Sequence, residues 1–154
     1  MIEVSIKLQY LTPALGNDRS DDVDRMLRNT SGQVIFLQSW YQAGLNYAAK
    51  ALAKNQKDVA KIQFDPVVDG HVTEFRRYYS ADKYKIHEAF AAGSVVGINA
   101  MLPREISIDD FEELMKIVGK YCGLSPYGWK KDYGRFEVIS VERRRRARST
   151  SKKS

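Results

Sequence analysis

Hydrophobic and polar residues alternate over positions 2–10, with Ile2, Val4, Ile6, Leu8 and Tyr10 on one side and Glu3, Ser5, Lys7 and Gln9 on the other. A strict period of two predicts a half-buried strand, which Thr12-Pro13 ends. The acids Asp18, Asp21, Asp22 and Asp24 then lead into a predicted short helix over 22–28. Ser39-Trp40-Tyr41-Gln42 has the spacing of a capping box and predicts a helix to about residue 54. Gly44, Ala48 and Ala49 give that helix a thin face, suited to close packing on a sheet. Ala60, Ile62 and Phe64 alternate with Lys61 and Gln63 as a second strand, closed by Pro66 and the turn Asp69-Gly70, with 72–79 as its hairpin partner. Residues 82–92 read as a short helical connection containing His87. In 93–102 a further strand sets Val96, Ile98, Ala100 and Leu102 against a small polar centre of Gly97 and Asn99, where another group has room to approach. Ile108, Phe111, Leu114, Met115 and Val118 follow the strongest helical period in the chain. Acids crowd its first turns, Lys116 and Lys120 lie late, and Gly123 stops it. The last strand, 133–141, carries apolar groups on both faces and reads as a central strand, or as one that changes environment along its length.

This order predicts an α+β fold: an antiparallel sheet with helices on one face, ferredoxin-like, with insertions in a β-α-β-β-α-β unit. One domain is expected over 1–142, followed by a basic disordered tail over 143–154. The open sheet face of such a unit is a common place for nucleic acid.

Charge sharpens that expectation. The chain of 154 residues has a formal net charge of +6, and seven of its 25 basic groups fall after residue 142 with no acid among them. The preceding residues hold 18 basic and 19 acidic groups, a net of −1, so long-range attraction to phosphate is expected from the tail. With 44% hydrophobic residues, one cysteine and no long apolar run, the sequence gives no sign of a membrane span or disulfide framework, and cytoplasmic location is expected.

The candidate binding chemistry lies in residues 123–138, where three glycines and a proline alternate with Tyr127, Trp129 and Tyr133 and with Lys130, Lys131 and Arg135. Rings beside cations suit stacked bases and phosphates. The alternative is that the rings fold back as a satellite cluster on the core. Arg76, Arg77 and Tyr79, standing beside Tyr78 on a strand, offer each face a cation beside a ring, and Arg143, Arg144, Arg145 and Arg146 open the tail. The expected partner is a single-stranded nucleic acid, and a homo-oligomer stays open.

Common enzyme signatures are absent: there is no Walker loop, dinucleotide fingerprint, nucleophile elbow or Cys/His metal set. The acids of 18–24 lack the glycine and final glutamate of a calcium loop, and no metal or cofactor is expected. Cys122, at the C-terminal end of a helix, faces the negative end of the dipole. A metal-independent ribonuclease would need His71 or His87 as general acid or base beside Tyr84 or Lys85. The expectation is a binding protein, not an enzyme.

Residues 106–111, Gly119-Lys120-Tyr121-Cys122-Gly123-Leu124-Ser125-Pro126 and Tyr133-Gly134-Arg135-Phe136-Glu137-Val138 resemble small uncharacterised bacteriophage and prophage proteins with a C-terminal Gly-x-Ser-Pro loop and Tyr-Gly-Arg-Phe strand. A more distant resemblance is to the CRISPR-associated repeat-associated RNA-binding proteins, ferredoxin-like with a glycine-rich C-terminal loop. The first resemblance implies a host-cell cytoplasmic protein, including an inhibitor or sponge that acts on a host defence system through a protein or nucleotide ligand. The second implies RNA binding.

Overall fold

The computed structural model describes residues 1–19, 22–127 and 132–144. Its strands are β1 (Ile2–Tyr10), β2 (Ala14–Leu15), β3 (Val23–Asp24), β4 (Gln63–Phe64), β5 (Thr73–Tyr78), β6 (Tyr84–Phe90), β7 (Val95–Leu102) and β8 (Phe136–Arg143). The helices are α1 (Gln38–Ala51), α2 (Gln56–Val59) and α3 (Ile108–Ile117), which a π-helical turn over Val118–Cys122 extends.

The first sheet has the order β4-β7-β1-β8, with every neighbouring pair antiparallel. Together with α1 and α3 these strands make the β-α-β-β-α-β unit of a ferredoxin-like α+β fold. The alternation of β1 sends Val4, Ile6, Leu8 and Tyr10 into the core, where Val96, Ile98, Ala100 and Leu102 of β7 join them. Tyr41, Leu45, Ala48 and Ala49 of α1 and Phe111, Leu114 and Met115 of α3 close that face. Each large side chain fully buried this way contributes about 1.5–3 kcal/mol over its exposed state. Gly44 sets how closely α1 approaches, since a Cβ there would lie 2.8 Å from Val118 Cγ1.

Two insertions build a second sheet. Its centre is β6, with β5 antiparallel on one edge, and with β2 antiparallel and β3 parallel end to end on the other. The predicted helix over 82–92 is therefore a strand, and β5 is its partner, not the partner of β4. The predicted helix over 22–28 is likewise extended chain, held to β6 where Val23 pairs with Ile86 and Asp24 with His87. In both segments polar residues satisfied across strands occupy buried positions, which hides the period-two signal.

Smaller differences have equally local causes. The first helix starts at Gln38, one residue before the predicted Ser39 cap, with the apolar Leu37 at its N-cap and no side-chain cap bond; the Gln38 amide donates to Ile62 O at 2.8 Å and accepts from Phe64 N at 2.9 Å. It ends at Ala51, before Ala53 at φ 53°. The second strand is shortened to Gln63–Phe64 by α2, which Asn55 caps. The last strand is an edge strand: its pairing with β1 slips between Lys7 and Leu8, so that Ile139 bulges outward at 52% exposure while Val138 and Val141 face the core. That bulge, not a central position, puts apolar residues on both of its faces.

Candidate nucleic-acid interface

The open face of the first sheet is not an aromatic platform. It presents Glu3, Ser5, Lys7 and Gln9 of β1 beside Gly97, Asn99 and Met101 of β7 and Glu137, Ser140 and Glu142 of β8. Its small polar centre is already occupied, since Ser5 Oγ donates to Asn99 Oδ1 at 2.8 Å and Asp69 bridges to Gly97.

Rings and cations gather instead on the β5–β6 hairpin. Antiparallel register places Phe75 opposite His87 and Arg77 opposite Lys85, which gives all four one face. The loop over 123–127 is laid onto this face by hydrogen bonds to Leu15 of β2. Ser125 Oγ donates to Leu15 O at 3.1 Å and accepts from Leu15 N at 2.9 Å, and Tyr127 N donates to Leu15 O at 2.9 Å. Gly134, at φ 79°, lets the returning chain lie against Leu124, where a Cβ would come 2.7 Å from the Leu124 carbonyl oxygen. Tyr127 and Tyr133 thus meet edge to face at 5.7 Å between ring centres, with His87 5.2 Å from Tyr127 and Phe75 6.0 Å from Tyr133. Both tyrosines are half-buried. They are therefore partly the satellite cluster and partly surface.

Arg77 is the cation fixed within this cluster. Its Nε donates to His87 Nε2 at 3.0 Å and its guanidinium carbon lies 5.0 Å from the centre of the Tyr127 ring. Its two terminal nitrogens have no protein partner among the described residues. His87 is fully buried, and its Nδ1 lies 2.7 Å from Gly16 O. Burial, as the largest influence, holds its pKa below the usual 6.5, with Arg77 and Lys85 adding to the effect and Gly16 and Asp24 opposing it. Asp24 is also buried, 3.8 Å from His87 Nδ1, 3.4 Å from Lys85 Nζ and 3.9 Å from Arg19 Nε. The histidine expected on a short helical connection is a core group with both ring nitrogens engaged.

The opposite face of the hairpin is more exposed. The Arg76 guanidinium lies 4.9 Å from the centre of Tyr84, which meets Tyr78 at 5.2 Å. Tyr78 on this face is 57% exposed, and Tyr79, just past the end of β5, is 64% exposed. Tyr78 and Tyr84 pair directly across the strands, a placement that becomes legible once Ser80-Ala81-Asp82 is read as a hairpin turn.

The other predicted residues go elsewhere. Arg135 is an internal latch: its Nη1 donates to Lys120 O within the π-helical turn, its Nη2 donates to Asp132 Oδ1 at 2.8 Å, and its backbone N donates to Thr12 Oγ1 at 2.9 Å. With Leu11, Lys116, Lys120, Phe136 and Val138 it lines a groove of about 700 Å³ beside β8 that holds none of the ring cluster. Arg143 ends β8, and Arg144 bonds Glu3 through backbone, at 2.8 Å, and side chain, at 3.4 Å. Trp129, Lys130, Lys131, Arg145 and Arg146 lie outside the described residues. Cys122 is buried, which pushes its thiol pKa up. Among the described residues no three His, Cys, Asp or Glu side chains stand where they would hold a metal ion, and no helix is long and apolar enough to cross a membrane.

Fold and site together define a ferredoxin-like α+β protein with an inserted second sheet that carries a cationic, aromatic hairpin. In fold it is similar to a chain of the cryo-EM structure of the Type III-B Cmr-beta bound to cognate target RNA, with a TM-score of 0.59 and 14% identity. The match covers 92% of this chain and 60% of that one, so this chain spans less than two thirds of its neighbour's length. No protein-family model and no curated protein matches the sequence.

Proposed function

We propose that the protein binds a single strand of nucleic acid, with RNA as the preferred ligand, across the β5–β6 hairpin. The observation that carries this reading is the state of Arg77: one edge of its guanidinium is tied to His87, its face lies on Tyr127, and its outer two nitrogens meet no partner among the described residues. An arginine fixed in this way presents a planar fork to a phosphate at little entropic cost. Tyr127 and Tyr133 beside it, Tyr78 and Tyr84 with Arg76 on the opposite face, and the exposed Tyr79 at the end of β5 supply rings for unpaired bases. A duplex hides its bases from such rings, so a single strand is favoured. The tail adds attraction without base preference. RNA is preferred because the similar fold belongs to a complex bound to target RNA.

In this reading the protein acts as a binder: both ring nitrogens of His87 are engaged, by Arg77 and by Gly16, which argues against His87 as the general acid or base of a ribonuclease. Photocrosslinking with a 4-thiouridine oligonucleotide, followed by peptide mass spectrometry, tests the assignment. Adducts on the peptides carrying Tyr78, Tyr84, Tyr127 or Tyr133 are expected. Adducts confined to the open face of the first sheet, around Lys7 and Asn99, would overturn it.

A further inference from the structure

The donors and acceptors around His87 fix its protonation state without reference to any titration. Gly16 O can only accept, so the nitrogen facing it at 2.7 Å, Nδ1, carries the hydrogen. Arg77 Nε can only donate, so the nitrogen facing it at 3.0 Å, Nε2, is bare. The imidazole in this arrangement is neutral and in one tautomer.

We propose that His87 is the positioning residue of the binding site: as a neutral imidazole it holds Arg77 in its phosphate-ready orientation, and its protonation lets Arg77 go. This inference rests on the functional reading above and deepens it. Protonation at Nε2 turns the acceptor of Arg77 into a second donor and sets two cations against each other in a buried place. The guanidinium then loses its edge anchor and keeps only the face of Tyr127. The charged and titratable groups packed around His87 come from every neighbouring element: Asp24 from β3, Arg77 from β5, Lys85 on β6 itself and Tyr127 from the loop. Asp24 favours the imidazolium, but its carboxylate is shared with Lys85 and Arg19. Burial, Arg77 and Lys85 oppose it.

The sign of the effect is diagnostic. Acidification ordinarily adds positive charge and strengthens phosphate binding. Here it weakens binding, because the orienting bond is broken. The test joins two measurements on the full chain. The first is ¹⁵N imidazole NMR of the free protein, wild type and Arg77→Ala. The second is fluorescence anisotropy of a labelled oligouridine at constant ionic strength, about one pH unit above and about one below the wild-type midpoint that the NMR titration finds. Expected are the Nδ1–H tautomer at neutral pH, a titration midpoint that rises in Arg77→Ala, and a wild-type affinity that falls by about tenfold on acidification, the size of one charge-assisted hydrogen bond. His87→Gln, whose amide does not titrate, should bind equally at the two pH values, whatever its affinity relative to wild type. An Nε2–H tautomer, or wild-type affinity that is flat or rises toward acid in a protein still folded, overturns the positioning role, and both are read on the wild type even if the variants do not fold. Absence of oligouridine binding at neutral pH overturns the functional reading itself, and with it the fork that His87 would hold.

Discussion

Single residues differ in how openly they declare their roles. Tyr10 ends a run of alternating residues and is found where that alternation puts it, fully buried, with its hydroxyl donating to Leu124 O at 2.8 Å. The bond itself was illegible, because it joins β1 to a loop more than a hundred positions away. His87 was less legible still: nothing in a lone histidine between Ile86 and Glu88 says that Arg77 and Gly16 will take its two nitrogens. Its burial as a neutral ring has a consequence for stability. A folded-state pKa held below 6.5 means that the unfolded chain binds the proton more readily. The stabilisation is therefore fully present above about pH 6.5 and is lost as pH falls through the lower folded value. Urea unfolding followed from about pH 7.5 to about pH 5.5 should show a falling midpoint in the wild type, and a smaller fall in His87→Gln. Equal falls in the two proteins would assign the acid sensitivity to other groups.

At the scale of elements, those of the ferredoxin-like frame announced themselves, as did β5 of the insertion, whereas β2, β3 and β6 did not. Alternation in β1 and β7 and the helical period of α3 arise from one-sided burial against a large core, which is the condition that makes a period visible. In β6 the buried positions are His87, Ala89 and Phe90, while Ile86 and Glu88 are half-buried beneath neighbouring side chains. Glu88 there serves as a hub, accepting from Met26 N at 2.8 Å and from Arg28 Nη2 at 3.1 Å. A strand stabilised by ion pairs and cross-strand rings looks polar throughout. The hairpin it forms yields a prediction at this scale. Replacing both Tyr78 and Tyr84 by serine should reduce single-strand affinity by about 1–3 kcal/mol for each base deprived of its ring, with the salt dependence unchanged, because stacking displaces no counterion. The melting temperature should stay near that of wild type, since Tyr78 is 57% and Tyr84 37% exposed. Unchanged affinity would remove this face of the hairpin from the interface.

Across the whole molecule, charge and rings are divided. The residues before 143 carry a net charge of −1 and those after 142 seven cations and no acid, so in the proposed reading the body makes local contacts and the tail supplies long-range attraction. Chain termination after Arg144 removes Arg145, Arg146, Arg148, Lys152 and Lys153. It should flatten the salt dependence by about 0.7 in slope for each phosphate that the tail no longer neutralises, equally for every sequence tested. A truncated protein with the full slope would show that the tail meets no phosphate. The site was half legible: Arg76, Arg77, Tyr127 and Tyr133 were marked by their chemistry, whereas Phe75, Lys85 and Asp24 join it only because two insertions distant in sequence form one sheet. The most direct test of the account is the affinity of Arg77→Ala for a single-stranded oligouridine across a salt series, with folding verified by circular dichroism. An affinity weaker by about tenfold or more at moderate salt, with the slope lower by about 0.7, is the predicted result. Wild-type affinity and slope in a folded Arg77→Ala protein would contradict it.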